Sequence, residues 1–275
     1  MRAIAWTAML AVAASTFGCG GAAQDEYTAE DRKANGLVII LPGIEGESGY
    51  NHDIRQGLAA AGMETAMPIW RWGRPIPLAG LLLNQIDFIG NRFEASKISD
   101  MIVRYQDDHP GKPVYLIGHS GGGGVAVFAA EGLPEGRQVN GLVLLSASIS
   151  SGYDLTKALQ RTRQGIVNFR NPNDIALLGI GTTLVGNVDG GRGPSAGLVG
   201  FSRPSPRDRV EKLQAYSRLH QIEIDGLIGD GGNAHGSATR SDFVTSYVAP
   251  WLMAGNWPAK PEENPADKVA SKTDR

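Results

Sequence analysis

The most informative pattern in the sequence lies in residues 114–125, Val-Tyr-Leu-Ile-Gly-His-Ser-Gly-Gly-Gly-Gly-Val. The apolar run 114–118 is typical of a buried strand, and the alanine-rich sequence that follows predicts a helix over 121–131. Between them Gly118, Ser120 and Gly122 form the G-x-S-x-G pattern of a very sharp strand-to-helix turn. Glycine is needed on both sides of the serine, because a side chain there would collide with the strand or the helix. The pattern predicts a serine hydroxyl that is presented above a sheet, at a helix N-terminus suited to stabilising an oxyanion.

Short β-rich runs alternate with helical patterns along the rest of the chain. Strands are predicted at 37–41, 63–70, 114–118, 141–146, 165–169 and 219–224, and helices at 51–61, 92–109, 121–131 and 241–252. This alternation predicts the α/β class with a doubly wound, mainly parallel sheet in one domain over 36–256. Fewer than twenty residues separate Ser146 from Gly165, so a cap inserted there is expected to be small or absent.

Composition and charge narrow the classes of function. The net charge of −2 gives no field that would draw the chain onto nucleic acid, so no nucleic-acid partner is expected. The single cysteine excludes an intramolecular disulfide and a cysteine-rich metal site, and neither a metal nor a cofactor is predicted. A phosphate-binding loop would place Lys-Ser/Thr after the glycines, where Val125 stands. A dinucleotide site would need its glycines in the first strand–helix unit and an acid about 20 residues later.

At these residues the chain resembles the α/β-hydrolase family, over roughly 36–252. The resemblance implies an order of serine, acid and histidine along the chain, with Ser120 as the nucleophile. His235 is the expected base, since it lies in the glycine-rich loop 229–236 between the last strand and the last helix. His220 opens a strand and is interpreted as structural. His119 is expected to be a packing neighbour, and His52 and His109 surface or capping residues.

The acid should lie on a loop after a strand beyond Ser120, so that it can orient the histidine. Asp174 fits best, because the turn 170–174 follows the strand at 165–169, at an edge where open α/β sheets keep their sites. The alternative interpretation of Asn171-Pro172-Asn173-Asp174 is ordinary turn chemistry. Asp189 and Asp154 remain the other candidates.

The first strand runs into Pro42-Gly43-Ile44-Glu45-Gly46, where the resembled family often carries His-Gly-x. The resemblance implies that the backbone N–H groups of Ile44 and Gly121 form the oxyanion hole, although Pro42 replaces the usual histidine. Glu45 and Glu47 are expected to point outward. The apolar segment 75–90 is expected either to line an acyl pocket or small flap, or to be a helix packed in the core.

The two ends of the chain are expected to lie outside the domain. Residues 1–23 have the features of a secretory signal, with an apolar run of about 15 residues, too short for a comfortable span. Cys19 stands where a bacterial lipobox places its lipidated cysteine, although Thr16 replaces the usual leucine; ordinary cleavage after Ala23 is the alternative. Residues 24–35 are predicted to be a linker, and the proline- and charge-rich stretch 257–275 a solvated tail.

The function expected from the sequence is ester hydrolysis by an exported serine hydrolase of the cell envelope, acting on a small-molecule or lipid ester. A peptidase or an acyltransferase could use the same three side chains. A hydrolase-like binding module without activity is the alternative from another class, and its signature would be the loss of one of the three residues. Membrane contact is expected only through an N-terminal lipid.

Overall fold

The computed structural model describes residues 25–72, 87–175, 186–224, 227 and 233–257. Five parallel strands form one sheet in chain order: β1 (Leu37–Leu41), β2 (Val114–His119), β3 (Val139–Leu145), β4 (Thr162–Arg170) and β5 (Leu219–Glu223). The segment 63–70, predicted to be a strand, makes only isolated parallel bridges to β1, at Ala66 and Ile69. These bridges use the edge of β1 that β2 leaves unpaired. The chain therefore crosses from one side of β1 to the other before β2, as in a doubly wound sheet.

The helices cover both faces of this sheet, as the sequence predicts. Their bounds are α1 (Glu30–Lys33), α2 (Gly49–Ala60), α3 (Phe88–Asp108), α4 (Gly121–Gly132), α5 (Thr156–Gln160), α6 (Ala196–Val199), α7 (Val210–Tyr216), α8 (Ser241–Phe243) and α9 (Ala249–Met253). A π-helical turn, Val244–Val248, joins α8 to α9. Between β3 and β4 the only helix is the five-residue α5, so no large cap is inserted there.

Successive side chains of each strand pack alternately into two different hydrophobic cores. Leu37, Ile39 and Leu41 belong to a cluster with α3 and α4, whereas Val38 and Ile40 belong to a second cluster with α2 and the C-terminal helices. All five residues are buried, because successive side chains of a strand point to opposite faces and both faces are covered. Continuous apolar runs rather than alternating ones are the sequence signature of such strands.

The segment 25–35 is part of the domain, so the predicted linker is wrong for these residues. The carbonyl of Tyr27 accepts a 2.7 Å hydrogen bond from the Met67 N–H, and the carbonyl of Lys33 accepts one of 2.7 Å from the Tyr105 hydroxyl. The guanidinium of Arg55 also lies over the Tyr27 ring, 4.4 Å from its centroid. These contacts attach the segment to the domain, which its polar composition did not indicate.

Trp257 likewise belongs to the domain and not to the predicted tail. Its indole is buried and packs at the edge of a ring cluster with His220 and Trp251, with centroid distances of 6.0 Å and 5.2 Å. The rest of the predicted tail, 258–275, lies outside the described residues.

His220, interpreted from sequence as structural, lies inside this cluster. Its ring centroid is 5.0 Å from that of Trp251, and neither ring nitrogen has a hydrogen-bond partner among the described residues. Burial, helped by the charge of Arg203, lowers the pKa of His220 to about 4. The folded protein therefore holds this imidazole neutral over a pH range in which the unfolded chain protonates it.

We predict that His220 makes the fold less stable in mild acid. The unfolded value is about 6.5, so between that pH and about 4 the unfolded chain binds the extra proton, and the free energy of unfolding falls as pH falls. The full effect is up to roughly 3 kcal/mol. Denaturant unfolding at pH 7 and pH 4.5 measures it, with His220→Phe as the comparison. An equal loss of stability in both proteins would show that His220 does not cause it.

Candidate active site

Ser120 occupies a strained backbone conformation between β2 and α4. Its φ of 51° and ψ of −123° are unfavourable for a residue with a side chain, with a typical cost of roughly 1–3 kcal/mol. Three backbone hydrogen bonds hold the turn: the Ser120 N–H donates to the Leu145 carbonyl (3.0 Å), and the Ser120 carbonyl accepts from the N–H groups of Gly123 (3.0 Å) and Ser148 (2.9 Å). The surrounding structure thus enforces a conformation that the residue alone would not adopt.

The two outer glycines of the motif are required by close backbone contacts. A Cβ on Gly118 would lie 2.4 Å from the carbonyl oxygen of Gly122, and a Cβ on Gly122 would lie 2.3 Å from the carbonyl oxygens of Leu41 and Pro42. Both distances are far below van der Waals contact, and the obstructing atoms are backbone. The steric requirement expected from the sequence is therefore present, and it also fixes α4 against the end of β1.

His235 and Asp174 form a close pair beside this turn. The Nδ1 atom of His235 lies 2.5 Å from the Oδ2 atom of Asp174, whose side chain is only 3% exposed. Asp174 lies in the turn after β4, as expected. With Nδ1 engaged by the carboxylate, Nε2 is the ring nitrogen of His235 that can exchange a proton with a third group.

His119 connects His235 to the serine turn. Its Nε2 atom lies 3.3 Å from the backbone carbonyl oxygen of His235, and the two ring centroids are 4.9 Å apart. Complete burial lowers the pKa of His119, which favours the neutral ring, and a proton on Nε2 can be donated to that carbonyl. Since His119 directly precedes Ser120, this contact brings the loop of His235 to the serine turn.

The other acids and histidines considered from the sequence have different surroundings. Asp189 accepts a 2.9 Å bond from the Ser150 N–H, and Asp154 caps Thr156 and forms a 3.0 Å ion pair with Lys212. His52 lies 3.2 Å from Glu47, and His109 packs on Tyr105. Of the three candidate acids, Asp174 is therefore the one that contacts a histidine.

The predicted oxyanion residues are neighbours in space. The loop after β1 makes a turn in which the Gly46 N–H donates to the Gly43 carbonyl at 3.0 Å, and Ile44 lies within it. A Cβ on Gly121 would lie 2.9 Å from the Cγ2 atom of Ile44. Gly121 is the first residue of α4, where N–H groups have no acceptor within their own helix. The two residues predicted to form the oxyanion hole therefore lie side by side next to Ser120.

Glu45 is exposed, as expected from the sequence, but its carboxylate turns back toward His119. Its carboxylate folds under Gly43 and lies 3.7 Å from the Nδ1 atom of His119, with 29% of the side chain exposed. Burial works to raise the pKa of Glu45, but His119, the backbone N–H of Glu45 and His235 together lower this pKa below its usual value. Glu47 is less exposed than expected, since it pairs with Arg71 and His52.

Asn171 is a residue of this region that sequence reasoning did not single out. It is 2% exposed and lies between β4 and Asp174. The only signal in the sequence is its place in the turn 170–174, where asparagine is an ordinary turn former. Its contacts with a loop more than sixty residues away could not be read from that signal.

Within the described ranges no group of three or more His, Cys, Asp or Glu side chains is arranged to hold a metal ion. The same ranges contain no helix with both the length and the hydropathy needed to cross a bilayer. Two stretches of sequence considered above, 75–86 and 1–23, lie outside the described residues.

Residues 36–177 match the model of the alpha/beta hydrolase fold family, which is more than half of the chain, so this protein belongs to that family. Among solved structures, lipase B of Aspergillus fumigatus is similar with a TM-score of 0.52 and 12% identity, covering 88% of this chain and 58% of the lipase. Esterase PE8 is similar with a TM-score of 0.47 and 15% identity, covering 82% of this chain and 94% of the esterase. A search of curated proteins found no match. The family confirms the predicted fold class.

Proposed function

We propose that this protein is a serine hydrolase that cleaves a carboxylic ester through an acyl-enzyme. The observation that carries the proposal is the 2.5 Å contact between His235 and Asp174 beside the strained turn at Ser120. A neutral imidazole held by a buried carboxylate is suited to accept a serine proton, because the carboxylate stabilises the imidazolium that forms. Family membership supports the fold on which such a site is built.

In the proposed mechanism the Ser120 hydroxyl oxygen attacks the ester carbonyl carbon while His235 Nε2 takes the hydroxyl proton. The carbonyl oxygen becomes an oxyanion, which the backbone N–H groups of Ile44 and Gly121 stabilise. Collapse of this intermediate breaks the ester C–O bond, and His235 gives its proton to the departing alkoxide. Water, deprotonated by the same imidazole, then releases the carboxylic acid and restores Ser120.

Ser120→Ala should abolish ester hydrolysis, with kcat falling by a factor on the order of 10⁶ and little change in the melting temperature. Ser146→Ala is the matched control, because Ser146 is also a buried serine at the end of a strand with a left-handed φ, 47°. Hydrolysis of p-nitrophenyl butyrate by the purified proteins measures both. Turnover by the Ser120 variant at the wild-type rate would refute the proposed function.

Asp174→Asn should lower kcat by a factor on the order of 10³ to 10⁴, because the amide neither stabilises the imidazolium nor holds the correct tautomer of His235. The control is Asp189→Asn, which keeps an oxygen to accept the bond from the Ser150 N–H and should leave kcat close to wild type. The same ester assay compares them. If the Asp189 variant is the inactive one, the acid has been assigned to the wrong residue.

We further propose that the protein is exported and held at a membrane by lipid on Cys19. The support is the sequence 1–23: its apolar run is short for a span, and Cys19 follows the run after a single glycine. Acyl chains contribute about 0.8 kcal/mol for each buried CH₂, so several chains on one residue suffice for attachment.

Expressed in a bacterium with its own leader, the wild type should partition into detergent. Cys19→Ala should become soluble or accumulate unprocessed, whereas Thr16→Ala, which keeps the cysteine, should still partition into detergent. Phase separation followed by immunoblotting measures this. A wild type in the aqueous phase with Gln24 as its first residue would show ordinary signal-peptide cleavage instead.

A further inference from the structure

The side chain of Asn171 joins two loops that are distant in sequence. Its amide nitrogen donates a 2.8 Å hydrogen bond to the backbone carbonyl of Ala234 and a 3.0 Å bond to the hydroxyl oxygen of Ser237. The Ser237 hydroxyl in turn donates to the same Ala234 carbonyl at 2.8 Å. These residues flank His235, so Asn171 and Ser237 hold the loop that carries the histidine.

The remaining polar groups of Asn171 hold the turn that carries the acid. Its side-chain oxygen accepts a 3.0 Å bond from the Asn173 N–H, and its carbonyl oxygen accepts a 3.2 Å bond from the Asp174 N–H. Its own N–H donates to the carbonyl of Gly197 at 2.8 Å. Every polar group of this buried residue therefore has a partner, which leaves the amide one orientation.

The loop of His235 depends on contacts of this kind, because its own sequence does not favour a single conformation. Gly236, which directly follows His235, gives the backbone more accessible states than another residue would, and ordering it costs conformational entropy. Asn171 holds the peptide carbonyl before His235, and His119 contacts the carbonyl after it. The imidazole of His235 is therefore held in place by the contacts to these two backbone carbonyls and by the side chain of Asp174.

We propose that Asn171 is a positioning residue that sets the distance between Asp174 and His235. This rests on the proposed function, since it concerns the acid and base of that mechanism. Asn171 touches neither the serine turn nor the reacting atoms in this account, and it acts through the two loops that it joins. Without its side chain, the turn that carries the carboxylate and the loop that carries the imidazole lose the hydrogen bonds that join them.

Asn171→Ala should lower kcat for p-nitrophenyl butyrate by a factor on the order of 10 to 100, with KM nearly unchanged, because small misplacements of reacting groups have effects of this size. The matched control is Asn168→Ala. Asn168 lies on β4, just before Asn171 in the chain, is fully buried, and donates a 2.9 Å bond to the Ala196 carbonyl instead of the His235 loop. This control loses a comparable buried hydrogen bond and should keep the wild-type kcat while it is folded.

The NMR signal of one proton can distinguish a positioning role of Asn171 from a general loss of stability. The Nδ1 proton of His235, shared with Asp174, should give a far-downfield signal in wild type and in Asn168→Ala, and this signal should broaden or move upfield in Asn171→Ala. Should Asn171→Ala fail to fold, Ser237→Ala decides the question, because it removes one of the bonds at the loop and should lower kcat by roughly tenfold.

The two proposals fail in different ways. A folded wild type without esterase activity would overturn the proposed function. An active wild type for which the folded Asn171 or Ser237 variant keeps the kcat and the downfield signal of Asn168→Ala would overturn the positioning role alone.

Discussion

The left-handed backbone of Ser120 is the constraint on which the rest of the site depends. A serine in this conformation is unfavourable by itself, so neighbouring elements must hold it. The hydrogen bond to the end of β3 and those from α4 and from Ser148 do so. They can form only because Gly118 and Gly122 lack side chains, which lets α4 approach the backbone of β1 and β2. One local geometry thus links three strands, one helix and the position of one serine.

The parallel sheet then determines which residues can meet this hydroxyl. All five strands point their carboxyl ends the same way, so the turn after β4 and the loop after β5 lie at the edge where β2 ends. Asp174 comes from the first of these and His235 from the second. Asp174 lies in a short polar turn and His235 is followed by Gly236, so neither residue is restrained by a helix or a strand. The bonds of Asn171 and the contact from His119 provide the missing restraint.

The sequence could predict the features that depend on residues close together in the chain. The strands around Leu37–Leu41 and Val114–His119 follow from continuous apolar runs, and the turn at Ser120 follows from the spacing of its glycines. The contact of Asp174 with His235 agrees with an assignment made from chain order and strand ends. Features with distant causes were missed: Glu45 folds back toward His119, residues 25–35 pack on the domain, and Trp257 completes the cluster around His220. Each depends on contacts between segments far apart in the chain, which composition and periodicity do not encode.

Covalent labelling is the most direct test of the proposal that Ser120 is a nucleophile activated by its surroundings. A fluorophosphonate reacts with an activated serine and leaves a stable adduct, which intact mass and peptide mapping locate. We expect one adduct for each folded molecule, on Ser120, and none in Ser120→Ala. A folded wild-type protein that stays unlabelled, or that carries the adduct on another serine, would contradict the proposal.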